Sequence, residues 1–340
     1  MNENFNQTEK LALAYQKIKM AKNILLIGHT GPDADAISSL GIMIEFCKNN
    51  AIDFFAYTER KPYGAYTYIP NEEEISGISP DDLKNYEVII TLDCGSINRT
   101  GLEDRLRRLI KAKNEGALLF IPYIIEFDHH NQAENFADLE IRTADCASTT
   151  ELLYYFFKAN NLEINKNVAN CILIGLLADT GHFLHTNSSS EAMLVASQML
   201  LRGASLPKIT AYTTQNKSII TLKVWGRVLE NLKFNSETGL ASSALTAEEI
   251  KLLLTPEEKE KHADLFGDIV SFLSSLSGVS VALLLREEEG KVKGSLRTNL
   301  DDIDVSSLAK NWGGGGHKKA AGFTIEGKIA PSENGWKVVF

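Results

Sequence analysis

The chain is expected to fold as an α/β protein: an N-terminal, mostly parallel sheet flanked by helices, joined by a helical linker to a smaller α/β domain. Three observations predict this. Apolar runs of strand length, Ile24–Ile27, Val88–Ile90 and Tyr123–Ile125, alternate with segments of helical periodicity, as parallel strands and crossover helices do. Short segments rich in Asp and His directly follow those runs, at the strand ends where open α/β sheets gather their ligands. The rhythm of strands and helices also changes after Gly203, which marks a second domain.

Residues 8–21 read as an amphipathic helix with Leu11, Ala14, Tyr15 and Ile18 on one face. A buried strand follows at 23–28, a loop at 29–34, an apolar helix at 35–48 and a strand at 52–57. Gly and Pro make 62–80 loop-rich, and strand 87–93 precedes a basic helix over 102–113. Strand 118–127 leads to Asp128-His129-His130. The next helix starts near Ser148, where Ser148-Thr149-Thr150-Glu151 has the spacing of a capping box. Helices at 165–178 and 189–202 complete a domain of residues 1–205.

Residues 206–232 form a linker with helical pieces, including 223–232, and the second domain spans 233–340. There a strand at 279–286 turns through Glu287–Gly290 into a second strand at 291–300. A helix at 305–312, four glycines (Gly313–Gly316) and a last strand at 321–326 follow.

A length of 340 residues, 44% of them hydrophobic and 23% charged, suits an ordinary globular protein of about two domains. No apolar run approaches the roughly 18–20 residues of a membrane helix, and the first residues lack a signal-peptide pattern. Cys47, Cys94, Cys146 and Cys171 are widely spaced and read as reduced thiols, so a cytoplasmic protein is expected. The net charge of −9 argues against tight, sequence-blind binding of long nucleic acid. It leaves a short anionic substrate open.

The segments that carry chemistry are Gly28–Asp35, Thr91–Cys94, Asp128–His130 and Ala178–Gly181. Brought to one crevice, so many carboxylates would repel each other, and divalent cations would remove the conflict. Asp33 and Asp35 stand two residues apart and can reach separate ions, with Pro32 stiffening their loop. Asp93 ends a strand and can bridge both ions; His29, His129 and Asp179 supply further ligands. Imidazole and carboxylate without thiolate suits manganese, with magnesium or cobalt as alternatives, better than copper or structural zinc. Singly, each segment reads as a turn or helix cap. Together, in this order after strands, they read as a two-cation clamp for phosphoryl transfer.

On these segments the chain resembles the DHH family of phosphoesterases. His29 to Asp35 followed by Ser38 and Ser39, then Asp93, Asp128-His129-His130 and Asp179-Thr180-Gly181-His182-Phe183 are similar to the family's four motifs. Gly31 and Ala34 depart from the usual Asn and Gly but spare every ligand. The resemblance implies one cation held by His29, Asp33 and Asp93 and another by Asp35, Asp93, His129 and Asp179. It further implies that His130 touches the scissile phosphate, that Asp128 orients a histidine, and that a hydroxide bridging the cations attacks phosphorus in line. Arg99 is a candidate for steadying phosphate. His182 and His185 are not assigned a role, and the Asp301, Asp302, Asp304 run reads as a solvated turn.

Gly313–Gly316 before His317-Lys318-Lys319, with Ser295-Leu296-Arg297 upstream, is similar to the DHH-associated domain. Backbone amides of glycine runs can cradle an anion, and Arg297 can grip phosphate bidentately. Arg297, Gly314, Gly315, Gly316 and His317 are therefore the expected substrate-binding residues. The Arg-Lys-Lys signature of family II pyrophosphatases is missing.

The resemblance thus implies a compact enzyme acting on short single-stranded RNA and on 3′-phosphoadenosine 5′-phosphate, with a homodimer left open. Rival readings are a pyrophosphatase or exopolyphosphatase, a linear or cyclic dinucleotide phosphodiesterase, and a catalytically idle nucleotide-binding protein.

Overall fold

A computed structural model of the chain describes residues 2–62, 66–116, 121–130, 135–213, 218–255, 258, 266–288, 290–316, 318–332 and 335–339. The chain divides into two units, Met1–Gln215 and Asn216–Phe340.

The first unit opens with α1 (Asn2–Met20), β1 (Asn23–Gly28), α2 (Ala34–Asn49), β2 (Asp53–Tyr57) and β3 (Ile75–Ser76). Then come β4 (Val88–Leu92), α3 (Glu103–Asn114), β5 (Tyr123–Asp128) and β6 (Leu139–Arg142). Four helices close the unit: α4 (Thr149–Ala159), α5 (Lys166–Asp179), α6 (Ser190–Leu201) and α7 (Leu206–Thr213). The six-stranded sheet has the order β3-β2-β1-β4-β5-β6, and its pairings are parallel.

Alternate residues of each strand face opposite sides. Ile24, Leu26, Ile90, Ile125 and Phe127 pack into one core with residues of α1, α2, α4, α5 and α6. Leu25, Ile27, Ile89 and Ile124 pack on the other side with Leu106 and Leu109 of α3. Cover on both faces explains why these strands read as unbroken apolar runs. The two sides are unequal: among the described α-helices, α3 alone supplies the second core, with Leu83 and Ile97 from short 3-10 turns. α2 is buried continuously from Asp35 to Cys47, as expected of a helix apolar on all sides.

Several elements escaped the sequence reading. β6 pairs with β5 at the sheet edge; it has four residues, alternately buried and half-buried, too few for a periodicity. The start of the expected strand 118–127 lies outside the described residues. The capping box at Ser148 is half formed: Ser148 Oγ accepts the Glu151 amide at 3.0 Å, but Glu151 Oε2 accepts the amide of Ala147, one residue early.

The second unit contains α8 (Ile219–Glu230), β7 (Lys233–Asn235), β8 (Leu240–Leu245), α9 (Ala247–Leu253) and α10 (Gly267–Ser274). It continues with β9 (Val281–Glu288), β10 (Lys291–Arg297), α11 (Val305–Lys310) and β11 (Gly315–Gly316). It ends with β12 (Ala320–Glu326), β13 (Lys328–Ser332) and β14 (Gly335–Val339). Its sheet is mixed, in the order β11-β12-β10-β9-β8-β7, with the β13-β14 hairpin separate; β8 and β9 run parallel. α8 and α10 cover one face through Val224, Val228, Ile269 and Leu273, and α11 covers the other through Val305 and Ala309. The unexpected β13 carries Pro331, a residue that argues against a strand except at edges.

Candidate metal centre

β1, β4 and β5 are neighbours in the sheet, and the chain leaving their carboxyl ends carries His29, Asp93 and Asp128-His129-His130. The strand order reverses at β1, where a doubly wound sheet opens its ligand crevice.

α2 begins at this crevice with Asp33 as its N-cap. Asp33 Oδ1 accepts the amides of Asp35 at 3.0 Å and Ala36 at 3.1 Å, while Oδ2 faces His29 Nε2 at 3.6 Å. The cap and the site therefore use different oxygens of one carboxylate. His29 Nδ1 lies 2.9 Å from the Thr30 carbonyl. A carbonyl only accepts, so Nδ1 is the donor there and Nε2 is the nitrogen that faces the carboxylates.

Asp93 directly follows β4 with a left-handed backbone, φ 59°, which Asp tolerates better than most residues. Its side chain is 2% exposed, with Oδ2 at 3.8 Å from His29 Nε2 and Oδ1 at 3.5 Å from His129 Nε2. His129 Nε2 also lies 3.1 Å from Asp179 Oδ2 at the end of α5. Asp35 is fully buried across the start of α4. Its two oxygens accept the amides of Thr149 at 2.7 Å and Thr150 at 3.1 Å.

The structure thus brings together all six residues expected as ligands. Among the described residues, three groups each have ligating atoms within 4.8 Å of one another: His29, Asp33 and Asp93; Asp35, His129 and Asp179; and Asp93, His129 and His130. Asp93 links the first and third groups, and His129 the second and third.

The residues fit divalent cations. His29 Nε2 and His129 Nε2 are buried, and carboxylate oxygens face them, that of Asp179 at 3.1 Å from His129. Burial, then the charges of Asp35, Asp33, Asp179 and Asp128, pushes the Asp93 carboxyl well above the usual carboxylate range. Burial and then Asp35 raise Asp179 to about 7. For His129, burial alone would lower the pKa, but contact with Asp179 and its charge outweigh this and raise it to about 9. Such a set holds protons until a cation replaces them. Cys94 is buried nearby, but its Sγ donates to the Ile27 and Leu92 carbonyls, and burial raises its pKa. The donors are therefore nitrogen and oxygen rather than thiolate.

Asp128 is fully buried. Its Oδ1 accepts the His130 amide at 2.7 Å and the His130 ring Nδ1–H at 2.9 Å, and its other oxygen accepts the Gly95 amide. This fixes the orientation of the His130 ring. Arg99 is half-buried in a short turn, Ile97–Thr100. Its carbonyl accepts the Thr30 amide at 2.6 Å, and its charge acts to lower the pKa of Asp33.

Sequence reasoning missed Thr149, Thr150 and Gly175. Thr149 and Thr150 read as a helix start alone, and a glycine within a helix gave no signal. A Cβ on Gly175 would stand 2.3 Å from Asp35 Oδ1 and 2.5 Å from Thr150 Oγ1, so only glycine lets α5 pass here. His185 and Asn187 hold the Asp179 carbonyl at 3.1 and 3.2 Å, which ties the turn after α5 to the end of that helix. Asp304 caps α11, and Asp301 pairs with Lys319.

In the second unit, Arg297 lies half-buried on β10, and its Nη1 donates to the Leu296 carbonyl at 2.9 Å. The glycine run departs from the expected anion nest. The amides of Gly313 and Gly314 donate to Lys310 and Ala309 carbonyls and close α11, so the Gly314 amide is not an anion donor. Gly315 and Gly316 form β11 against Gly322 and Ala321 of β12. A Cβ on Gly314 would stand 2.1 Å from the Gly322 carbonyl oxygen, and one on Gly316 2.6 Å from that of Ala320; at Gly315 nothing lies within 4 Å. His317 lies outside the described residues.

Residues 23–176 match the DHH family, N-terminal domain, and residues 245–334 match the DHHA1 domain. The chain belongs to the DHH family of phosphoesterases. Its DHH domain starts with β1 and the match ends inside α5, just before Asp179. The chain is 27% identical over 321 residues to the bifunctional oligoribonuclease and PAP phosphatase NrnA of Thermus thermophilus, covering 94% of this chain and 89% of that one. Against the Bacillus subtilis protein of the same name, identity is 23% over 311 residues, 91% of each chain. The crystal structure of an exopolyphosphatase-related protein from Bacteroides fragilis shares the fold, with a TM-score of 0.80 at 24% identity, covering 93% of this chain and 90% of that one. DHH phosphoesterases are metal-dependent, in keeping with the Asp and His cluster at these strand ends. Among the described residues, no helix is long and apolar enough to cross a membrane.

Proposed function

We propose that this phosphoesterase hydrolyses short oligoribonucleotides to nucleoside monophosphates, and 3′-phosphoadenosine 5′-phosphate to AMP and phosphate. The observation that carries the reading is the Asp93 carboxylate set between two buried imidazole nitrogens, in a chain aligned almost throughout with relatives named for these two activities. His29, Asp33 and Asp93 would hold one divalent cation, and Asp35, Asp93, His129 and Asp179 a second. Manganese is the proposed ion, with magnesium or cobalt as substitutes. When bound, such a pair neutralises phosphate charge and lowers the pKa of water.

The chain's own residues do the rest. Asp128 accepts the His130 Nδ1–H and so holds the ring that is proposed to contact the scissile phosphate. Arg99 adds positive charge beside Asp33. Arg297, Gly315, Gly316 and His317 are proposed to bind the substrate's second phosphate, with residues 1–205 catalytic, 206–232 a linker and 233–340 the substrate-binding domain. A cytoplasmic location is proposed with it, in keeping with the four widely spaced cysteines.

A product-resolved assay with manganese tests this, using pApA, short RNAs, 3′-phosphoadenosine 5′-phosphate, pyrophosphate, polyphosphate and cyclic di-AMP. Turnover concentrated on the first three is expected. Preference for pyrophosphate, polyphosphate or the cyclic dinucleotide would overturn the assignment.

A further inference from the structure

Thr149 is the first residue of α4, and it is fully buried. Its amide donates to Asp35 Oδ2 at 2.7 Å, and its hydroxyl donates to Asp93 Oδ1 at 2.8 Å. Asp93 belongs with His29 and Asp33, and Asp35 with His129 and Asp179. One residue therefore bonds to a carboxylate in each of these groups. We propose that Thr149 is a positioning residue that fixes the distance between the two halves of the metal centre. This rests on the metal-site reading above.

The chemistry suits the role. A carboxylate without a second partner rotates about its terminal torsion, which is broad and roughly twofold. The Thr149 hydroxyl on Oδ1 removes that freedom, so Oδ2 is left facing His29 while Oδ1 stays beside His129. β-Branching keeps the hydroxyl itself in few rotamers. The amide contributes a second, side-chain-independent hold, because the first amides of a helix lack intrahelical partners. A carboxylate seated there also benefits from the helix dipole. Gly175 leaves room for Asp35 and Thr150 to meet here.

Thr149→Val keeps the shape and deletes the donor; Thr149→Ser keeps the donor. The measurement is manganese binding to the metal-stripped full chain by calorimetry, with circular dichroism and melting as controls on folding. Loss of an outer hydrogen-bond partner typically weakens metal affinity about 10–100-fold, and that loss is expected for Thr149→Val. Thr149→Ser should stay near the parent, and kcat should fall with the affinity only in the valine variant. If Thr149→Val fails to fold, Thr149→Ala carries the same comparison. Manganese affinity unchanged in Thr149→Val, or weakened equally in Thr149→Ser, overturns the proposal. Asp93→Ala, run in parallel, separates the premises: unchanged manganese binding there would remove the metal centre itself.

Discussion

Gly175 on α5 passes so close to Asp35 on α2 that a methyl group in place of its hydrogen would stand 2.3 Å from the carboxylate Oδ1. Helix α5 thus forms one wall of the metal centre as well as part of the core. Gly175→Ala should push Asp35 off the α4 amides. A destabilisation of about 1–3 kcal/mol is expected from overpacking, together with weaker manganese binding. Thermal melts and metal titration check both, and an alanine variant equal to the parent in each would show that Asp35 has room to move.

The metal-free protein should lose stability as pH rises. A pKa raised on folding means that the folded chain binds more protons, so the unfolding free energy falls between the unfolded and folded pKa values. For Asp179 that window runs from 3.8 to about 7, and for His129 from 6.5 to about 9. The two effects have the same sign. Melting temperature of the stripped protein should therefore drop across this range, and added manganese should raise it more at the alkaline end. Asp179→Asn should flatten the lower part of the profile. A stripped protein that melts at a constant temperature from acid to alkaline pH would contradict the description of this cluster.

Beneath the Asp-His-His turn, Arg142 Nε donates to the buried carboxylate of Glu126, and its Nη1 donates to Asn135 at 3.0 Å. Burial pushes Glu126 up to about 7 even though Arg142 pulls it down. Arg142→Met leaves that carboxylate without its counter-charge. The cost should be small where Glu126 is protonated and approach about 3–5 kcal/mol where it must ionise. Denaturant melts at acid and alkaline pH read the difference. The double variant Arg142→Met, Glu126→Gln should lose the pH dependence, and its persistence there would point to another group.

Within the glycine run, structure separates steric need from ligand binding. Gly314→Ala meets a backbone carbonyl oxygen at 2.1 Å, whereas Gly315→Ala meets nothing within 4 Å. The first should destabilise the second unit by about 1–3 kcal/mol; the second should melt like the parent. If Gly315→Ala nevertheless raises KM for 3′-phosphoadenosine 5′-phosphate, Gly315 lies at the substrate. An unchanged KM would remove Gly315 from the binding residues.

The strands that carry the site were legible because both of their faces are buried. Ile24–Ile27 and Val88–Ile90 have no polar positions to disguise them, and a polar residue directly after such a run stands out. Asp33 shows how two readings coexist: it is the helix cap that its loop suggested, and its other oxygen still faces His29. β6 and the β13-β14 hairpin were not legible, because short edge strands bury too few residues to set a period. The glycine run was misread at Gly314, since an amide available in sequence is taken by the end of α11.

Sequence alone determined the kinds of donor, their order and their attachment to strand ends, because hydrophobic burial on two faces imposes that pattern on a parallel sheet. Tertiary structure decided how the donors are held. Thr149, Thr150 and Gly175 reach Asp35 and Asp93 from helices far away in the chain, and contacts across such separations leave no local periodicity to read. Which oxygen caps, which faces a histidine and which accepts an amide is set by that packing, since only the folded chain limits how each carboxylate can turn.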